Sequence, residues 1–258
     1  GTAEMLARWI GAPMNEITYT CAGINHQAWL LEISRDGKDL YPEIKARAAA
    51  RTEKHNDMVR YEIMKRFGYY VTESSEHNAE YMPYFIKDKY PELIERFNIP
   101  LDESPRRCVN QIEKWTQMRK DLVEKHDLTH ERSKEYASHI MEAMETNQPY
   151  KFGGNVLNTG LIPNLPAEAA VEVPRLVDKS GVQPIYVGNL PPQCAAMNRT
   201  NINVQLLTVE AALTGKKDYI YQAAMMDPHT ASELSIDDIV AMCDDLIETH
   251  GSWLPKYH

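Results

Sequence analysis

Residues 18–39 read TYTCAGINHQAWLLEISRDGKD: an apolar run broken by glycine, asparagine and histidine, a second apolar run, and then Asp-Gly. The segments Ile17 to Cys21 and Trp29 to Ile33 have the side chains of half-buried strands. Asp36 and Gly37 are the pair that a two-residue hairpin turn demands, because both central residues of that turn need positive φ. The stretch therefore predicts two successive strands with Asn25 and His26 at their junction, and a second turn at Asp36-Gly37.

On either side the pattern changes to helix. GTAEMLARWIG at residues 1–11 predicts a helix stopped by Gly11, and residues 57–67 (DMVRYEIMKRF) space Val59, Ile63 and Phe67 along one helical face, with Gly68 placed to end it in a left-handed conformation. YYVTESSEHNAEY, residues 69–81, opens as a short strand and becomes polar. Helices are predicted to dominate residues 78–148, punctuated by Pro91, Pro100 and Pro105. A second β-rich portion runs from Tyr150 to Gly188 and contains AVEVPRLVDKSGVQPIYVG, a hairpin around the DKSG turn. Residues 201–213 are apolar nearly all round and predict a buried helix ending at Gly215. SIDDIVAMCDDLIETHG, residues 235–251, predicts an amphipathic helix capped by Ser235 with Asp238 completing a capping box. With no internal repeat and no linker, the mixed order of strands and helices argues α+β rather than alternating βαβ units.

Composition excludes several classes. The 258 residues suffice for a well-buried core, and 28 basic against 37 acidic residues give a net charge of −9, with no basic and aromatic interleaving of the kind a nucleic-acid surface needs. No apolar stretch approaches the roughly 20 residues of a membrane helix and no basic-then-apolar leader is present, so neither nucleic acid nor membrane is expected as a partner and a cytoplasmic protein is. The four cysteines, Cys21, Cys108, Cys194 and Cys243, are far apart and expected to be reduced. No two of the 12 glycines stand two positions apart, so a GxGxxG dinucleotide loop and a Walker loop are absent.

Three places can carry chemistry. A single histidine between strands, His26, is more often structural than a ligand. In ESSEHNAEY, Glu73, Glu76, His77 and Glu80 recur at three- and four-residue spacings, so a helix there gathers carboxylates and an imidazole, or simply presents a solvated face. In NVLNTGLIPNLP, Asn155, Asn158 and Asn164 line a polar pocket or make turns. His126 and His130 in KHDLTHE belong to a charged helix end facing solvent.

CAGINHQAW, FGYYVTESSEHNAEY, GLIPNLP, TNINVQLLTVEAALTG and AAMMDPHTA together resemble the α-galactosidase branch of glycoside hydrolase family 4, over nearly the whole chain. Enzymes of this family are the NAD-dependent exception to two-carboxylate glycoside hydrolysis. The resemblance implies a lactate/malate-dehydrogenase-like architecture. Residues 1–258 correspond to its C-terminal α+β domain of helices with antiparallel strands and hairpins, which binds substrate and metal and builds the homo-oligomer. The N-terminal Rossmann domain, which binds NAD, and the cysteine segment that supplies one manganese ligand are not matched. The chain alone is accordingly expected to bind NAD weakly and to be catalytically inactive.

The chemistry implied by the resemblance is oxidation at sugar C3 by NAD⁺, abstraction of the acidified C2 proton by a protein base, elimination of the aglycone from C1, addition of water, and re-reduction. A divalent metal, Mn²⁺, polarises the sugar oxygens. His26, matching the family's GxNH histidine, is the implied metal ligand, and Asn25 beside it contacts the sugar or supports the metal ligand; Asn155 and Asn158 of the asparagine-rich stretch are the further candidates for substrate contact. Cys21 is part of the CxGxNH stretch and is not the family's metal-binding cysteine. The base is sought in TESSEHNAEY, where Glu76, His77 and Tyr81 are candidates. The implied substrate is an α-galactoside such as melibiose. Two other readings stand beside this one: a non-catalytic packing and oligomerisation fragment, and a hydroxy-acid dehydrogenase-type substrate domain, which would want an arginine clamp for a carboxylate.

Overall fold

A computed structural model describes residues 2–125, 129 and 135–258, so His126 and His130 lie outside the described residues. The expected opening helix is α1 (Thr2–Trp9), and Gly11 beyond it has φ 75°. After a 3-10 turn, β1 (Ile17–Ile24) and β2 (Gln27–Arg35) pair antiparallel from Ile17 opposite Arg35 to Ile24 opposite Gln27, leaving Asn25 and His26 as the two-residue connection. The second turn also forms as predicted: Asp36 and Gly37 both have positive φ, and β3 (Lys38–Asp39) folds back on the end of β2.

Next come α2 (Tyr41–Ala50), α3 (Met58–Phe67), β4 (Tyr70–Val71) and α4 (Ser75–Tyr81). Gly68 closes α3 at φ 88°, and Ser74 caps α4 by accepting the His77 N–H. The helical middle contains α5 (Glu92–Arg96), α6 (Glu103–Glu124) and α7 (Ala137–Thr146). The second β-rich portion supplies β5 (Tyr150–Leu157), β6 (Ala170–Asp178) and β7 (Gly181–Pro184), with Asp178 opposite Gly181 across the expected DKSG hairpin. Four helices finish the chain: α8 (Pro192–Thr214), α9 (Asp218–Met226), α10 (Pro228–Glu233) and α11 (Ile236–His250).

The strands form one antiparallel sheet in the order β3-β2-β1-β6-β5, with β4 also on β2 and β7 on β6. This is the expected α+β arrangement. Alternation along the strands divides the core. Trp29 and Val71 join Ala22, Val171, Val173 and Ile202 in one cluster, while their neighbours Leu30 and Tyr70 join Leu6, Ile33, Ile44 and Met64 in another. Trp29 and Leu30 are both fully buried, so the sheet is covered on both faces around the His26 hairpin.

The apolar helix predicted over 201–213 is longer than expected and buried mostly in its first half. Cys194, Ala195, Met197, Asn198, Asn201 and Ile202 are buried, whereas Val209 and Leu213 are exposed. In the second half Ala211 alone is buried. In the last helix Ser235 caps as predicted, but Asp238 pairs with the Ser235 hydroxyl at 2.6 Å instead of reaching back to a backbone N–H. The four cysteines are free; burial raises the Cys21 thiol well above its ordinary range and pushes Cys194 up to about 12. Among the described residues no helix is long and apolar enough to cross a membrane.

Candidate functional site

The hairpin turn places His26 at φ 64°, a left-handed conformation that few non-glycine residues adopt. Facing it is Glu73, also left-handed at φ 67°, on the short connection from β4 to α4; His26 Nε2 and Glu73 Oε1 are 3.8 Å apart. Two strained residues at opposing turn tips need support from below. For Glu73 that support is the buried Arg60, whose guanidinium donates to the Glu73 carbonyl and pairs with Asp57. Asp57 in turn accepts from the Tyr70 hydroxyl, and Ser75 Oγ donates to it at 3.3 Å.

For His26 the support comes from α8. Asn198 Nδ2 donates to the backbone carbonyl of Gln27 at 2.7 Å and to its side-chain Oε1 at 3.1 Å, and Asn198 Oδ1 accepts the Trp29 indole N–H at 3.2 Å. One helical turn on, Asn201 Nδ2 reaches Gln27 Oε1 and the Tyr81 carbonyl, each at 3.3 Å. The two asparagines thus tie the His26 hairpin to the end of α4. Gly23 permits the close approach: a Cβ there would lie 2.6 Å from the Gln27 carbonyl oxygen and 3.1 Å from Asn198 Oδ1.

Helix α4 carries the other candidates. His77 stacks on His26 with centroids 4.8 Å apart, Tyr81 lies at 6.1 Å, and His77 Nδ1 meets Glu80 Oε2 at 3.2 Å. Burial, with the charges of Glu80 and Glu73, raises the Tyr81 phenol above its ordinary range. Glu76 does not join this group. Its carboxylate turns to Arg107 on α6, at 3.1 Å, so the single face expected for residues 73–80 is divided. Beyond Glu73 opens a cavity of about 770 Å³ lined by Tyr19, Cys21, Arg60, Tyr150 and Glu172 among others. Burial and the charge of Glu73 raise the Glu172 carboxyl.

The asparagine loop resolves into two cases. Asn158 is buried, its Nδ2 donating to the carbonyls of Ile162, Leu165 and Pro166 at 2.9–3.0 Å and its Oδ1 accepting the Ile162 N–H at 2.9 Å. It clamps its own loop through its side-chain amide. Asn164 similarly exchanges two hydrogen bonds with the Leu190 backbone. Asn155 is exposed on β5, in register with Glu172, and Asn25 is exposed beside His26.

A divalent cation implied by the resemblance can be tested against these donors. The 3.8 Å between His26 Nε2 and Glu73 Oε1 comes within a few tenths of an ångström of the roughly 3.0–3.4 Å that bonds of about 2.1 Å set between neighbouring donors on one ion. Among the described residues, however, no three His, Cys, Asp or Glu side chains group in a way that could hold a metal ion. The fit is that of a partial ligand set.

Sequence reasoning missed Gln27, Asn198 and Asn201. The available signal was the pair of amides Asn198 and Asn201 at i and i+3, beside the apolar Met197 and Ile202, a spacing that puts both on one helical face.

Residues 21–230 match the family 4 glycosyl hydrolase C-terminal domain. The chain is 63% identical over 253 residues to an alpha-galactosidase of Bacillus subtilis, covering 98% of this chain and 59% of that protein. It is 34% identical to an alpha-galactosidase of Rhizobium meliloti, covering 99% of this chain and 54% of the relative. The fold is shared with a 6-phospho-alpha-glucosidase from gut microorganisms solved in complex with NAD and Mn²⁺: TM-score 0.77 at 17% identity, over 99% of this chain and 60% of that one. The chain thus spans between half and two thirds of the length of the proteins it matches, and it belongs to glycoside hydrolase family 4, whose C-terminal domain it carries.

Proposed function

We propose that this chain is the substrate-binding, metal-binding and subunit-association part of an NAD- and Mn²⁺-dependent α-galactosidase. The observation that carries the reading is the convergence of His26, Glu73, His77 and Tyr81 at two strained turn tips, in a chain 63% identical to an alpha-galactosidase. When bound, NAD supplies reversible hydride acceptance at a sugar carbon and the divalent cation supplies Lewis-acid polarisation of sugar oxygens. His26, with Glu73 facing it, is this chain's contribution to holding the cation, and the remaining donors come from outside the chain. Asn25, exposed beside His26, contacts the sugar.

Of the three candidates for the base, the geometry favours His77. Glu80 fixes its Nδ1, which leaves Nε2 to accept the C2 proton of the sugar, and the stacked His26 ring sets the plane in which it does so. Tyr81 retains its proton in a surrounding that raises its phenol, and Glu76 is committed to Arg107.

The test is His26→Ala in the complete enzyme, assayed on nitrophenyl α-galactoside and on the corresponding α-glucoside. Turnover and its manganese dependence are expected to vanish while the circular dichroism spectrum stays unchanged, and the wild type should prefer the galactoside. Wild-type turnover with unaltered manganese dependence would refute the assignment.

A further inference from the structure

A cavity of about 520 Å³ opens between α2, residues 51–58, α3 and α5, and none of its lining belongs to the His26 cluster. In a chain of net charge −9 its lining includes Lys45, Arg51, Lys65 and Arg96 against one carboxylate, Glu62. That carboxylate is already engaged by Arg66 at 2.8 Å and Lys65 at 3.9 Å, and Arg51 pairs with Glu53 at 2.9 Å. Lys45 and Arg96 form no ion pair among the described residues. Each lies over an aromatic ring instead, Lys45 at 5.0 Å from the Tyr41 centroid and Arg96 at 5.0 Å from that of Phe97.

His55 adds a donor to the lining. Its Nδ1 accepts the Asp57 backbone N–H at 3.0 Å, so in the neutral ring the proton sits on Nε2. Burial and the neighbouring Arg51 charge hold this imidazole below its ordinary range, which favours that neutral form. The cavity therefore offers cations and an N–H donor with hardly any uncommitted acceptor. Its volume falls within the roughly 300–1,000 Å³ of small-molecule sites and exceeds what a bare inorganic ion fills. Tyr61 and Phe97 supply flat apolar wall.

We propose that this cavity binds a small phosphomonoester, its dianionic group held by Lys45 and Arg96 and its body resting on Tyr61 and Phe97. Two uncompensated cations match a double negative charge. The guanidinium fork suits phosphate oxygens in a bidentate contact, with the ammonium as a point charge beside it.

The experiment is calorimetric titration of the 258-residue chain with inorganic phosphate and, separately, with glycerol 3-phosphate, at an ionic strength fixed with sodium chloride. Saturable binding is expected, tighter for the ester. Lys45→Gln and Arg96→Gln should each weaken it on the order of tenfold, while Lys120→Gln on exposed α6 removes the same charge without effect. Absence of saturable binding, or equal weakening by Lys120→Gln, would show diffuse screening only and overturn the site. Phosphate bound as tightly as the ester would overturn the ligand class. Should a variant lose its fold, the wild-type imidazole resonances decide: glycerol 3-phosphate must move those of His55 and leave His229 and His250 in place, and an unmoved His55 overturns the proposal.

Discussion

Replacing Asn198 with leucine tests whether α8 holds the His26 hairpin. The side chain is fully buried, and leucine keeps its approximate volume, so the perturbation is confined to hydrogen bonding. Three bonds disappear: two from Nδ2 to Gln27 and one from the Trp29 indole to Oδ1. Gln27 Oε1 keeps Asn201 at 3.3 Å, whereas the Trp29 N–H, on a ring with no exposed surface, is left with no acceptor. An orphaned buried donor costs about 1–3 kcal/mol and each of the two ordinary bonds about 1 kcal/mol net, giving a loss of about 3–5 kcal/mol overall. For a domain of this size that lowers Tm by roughly 6–20 °C. Urea unfolding followed by tryptophan fluorescence should show a lower midpoint at unchanged m-value. Asn203→Leu on the same helix, whose amide oxygen accepts from the exposed Arg199, should stay within about 0.5 kcal/mol. A loss below about 1 kcal/mol for Asn198→Leu would refute the clamp.

Two further outcomes follow from the site. In D₂O the complete enzyme should release galactose carrying deuterium at C2. His77→Asn should depress that exchange and turnover together by about 10² to 10⁴, while Glu76→Gln stays close to wild type. Collapse in Tyr81→Phe with His77→Asn unaffected would transfer the role to the phenol. Glu172→Gln should stabilise the chain at neutral pH. Burial raises the folded-state pKa of Glu172, so its contribution is fully present below the unfolded carboxyl pKa of about 4.3 and is lost as pH rises through the folded value. The advantage of the glutamine variant in thermal melts should therefore be absent at pH 4 and grow toward pH 7; a constant advantage at all pH values would refute the assignment to ionisation.

The local elements were legible because each has a short-range cause. Strand and turn residues at 17–39, the DKSG hairpin, Gly68 after α3 and Ser235 before α11 act through their own φ/ψ preferences or a bond three residues away, which needs no distant partner. The chemistry-bearing segments were legible in the same way: once TESSEHNAEY is a capped helix, His77 and Tyr81 share a face by spacing alone. What the sequence left open depends on contacts across large separations in the chain. That Asn158 locks a loop while Asn155 stays exposed, that Glu76 turns to Arg107, and that α8 is buried mostly along its first half are all decided by which surfaces pack together. The His26 site is the clearest case, because its geometry rests on Asn198 and Asn201, some 170 residues away in sequence from Gln27. The sequence by itself determined which residues could carry chemistry; only the tertiary structure decided which of them meet, since a buried amide acts on whatever backbone the packing brings within 3 Å.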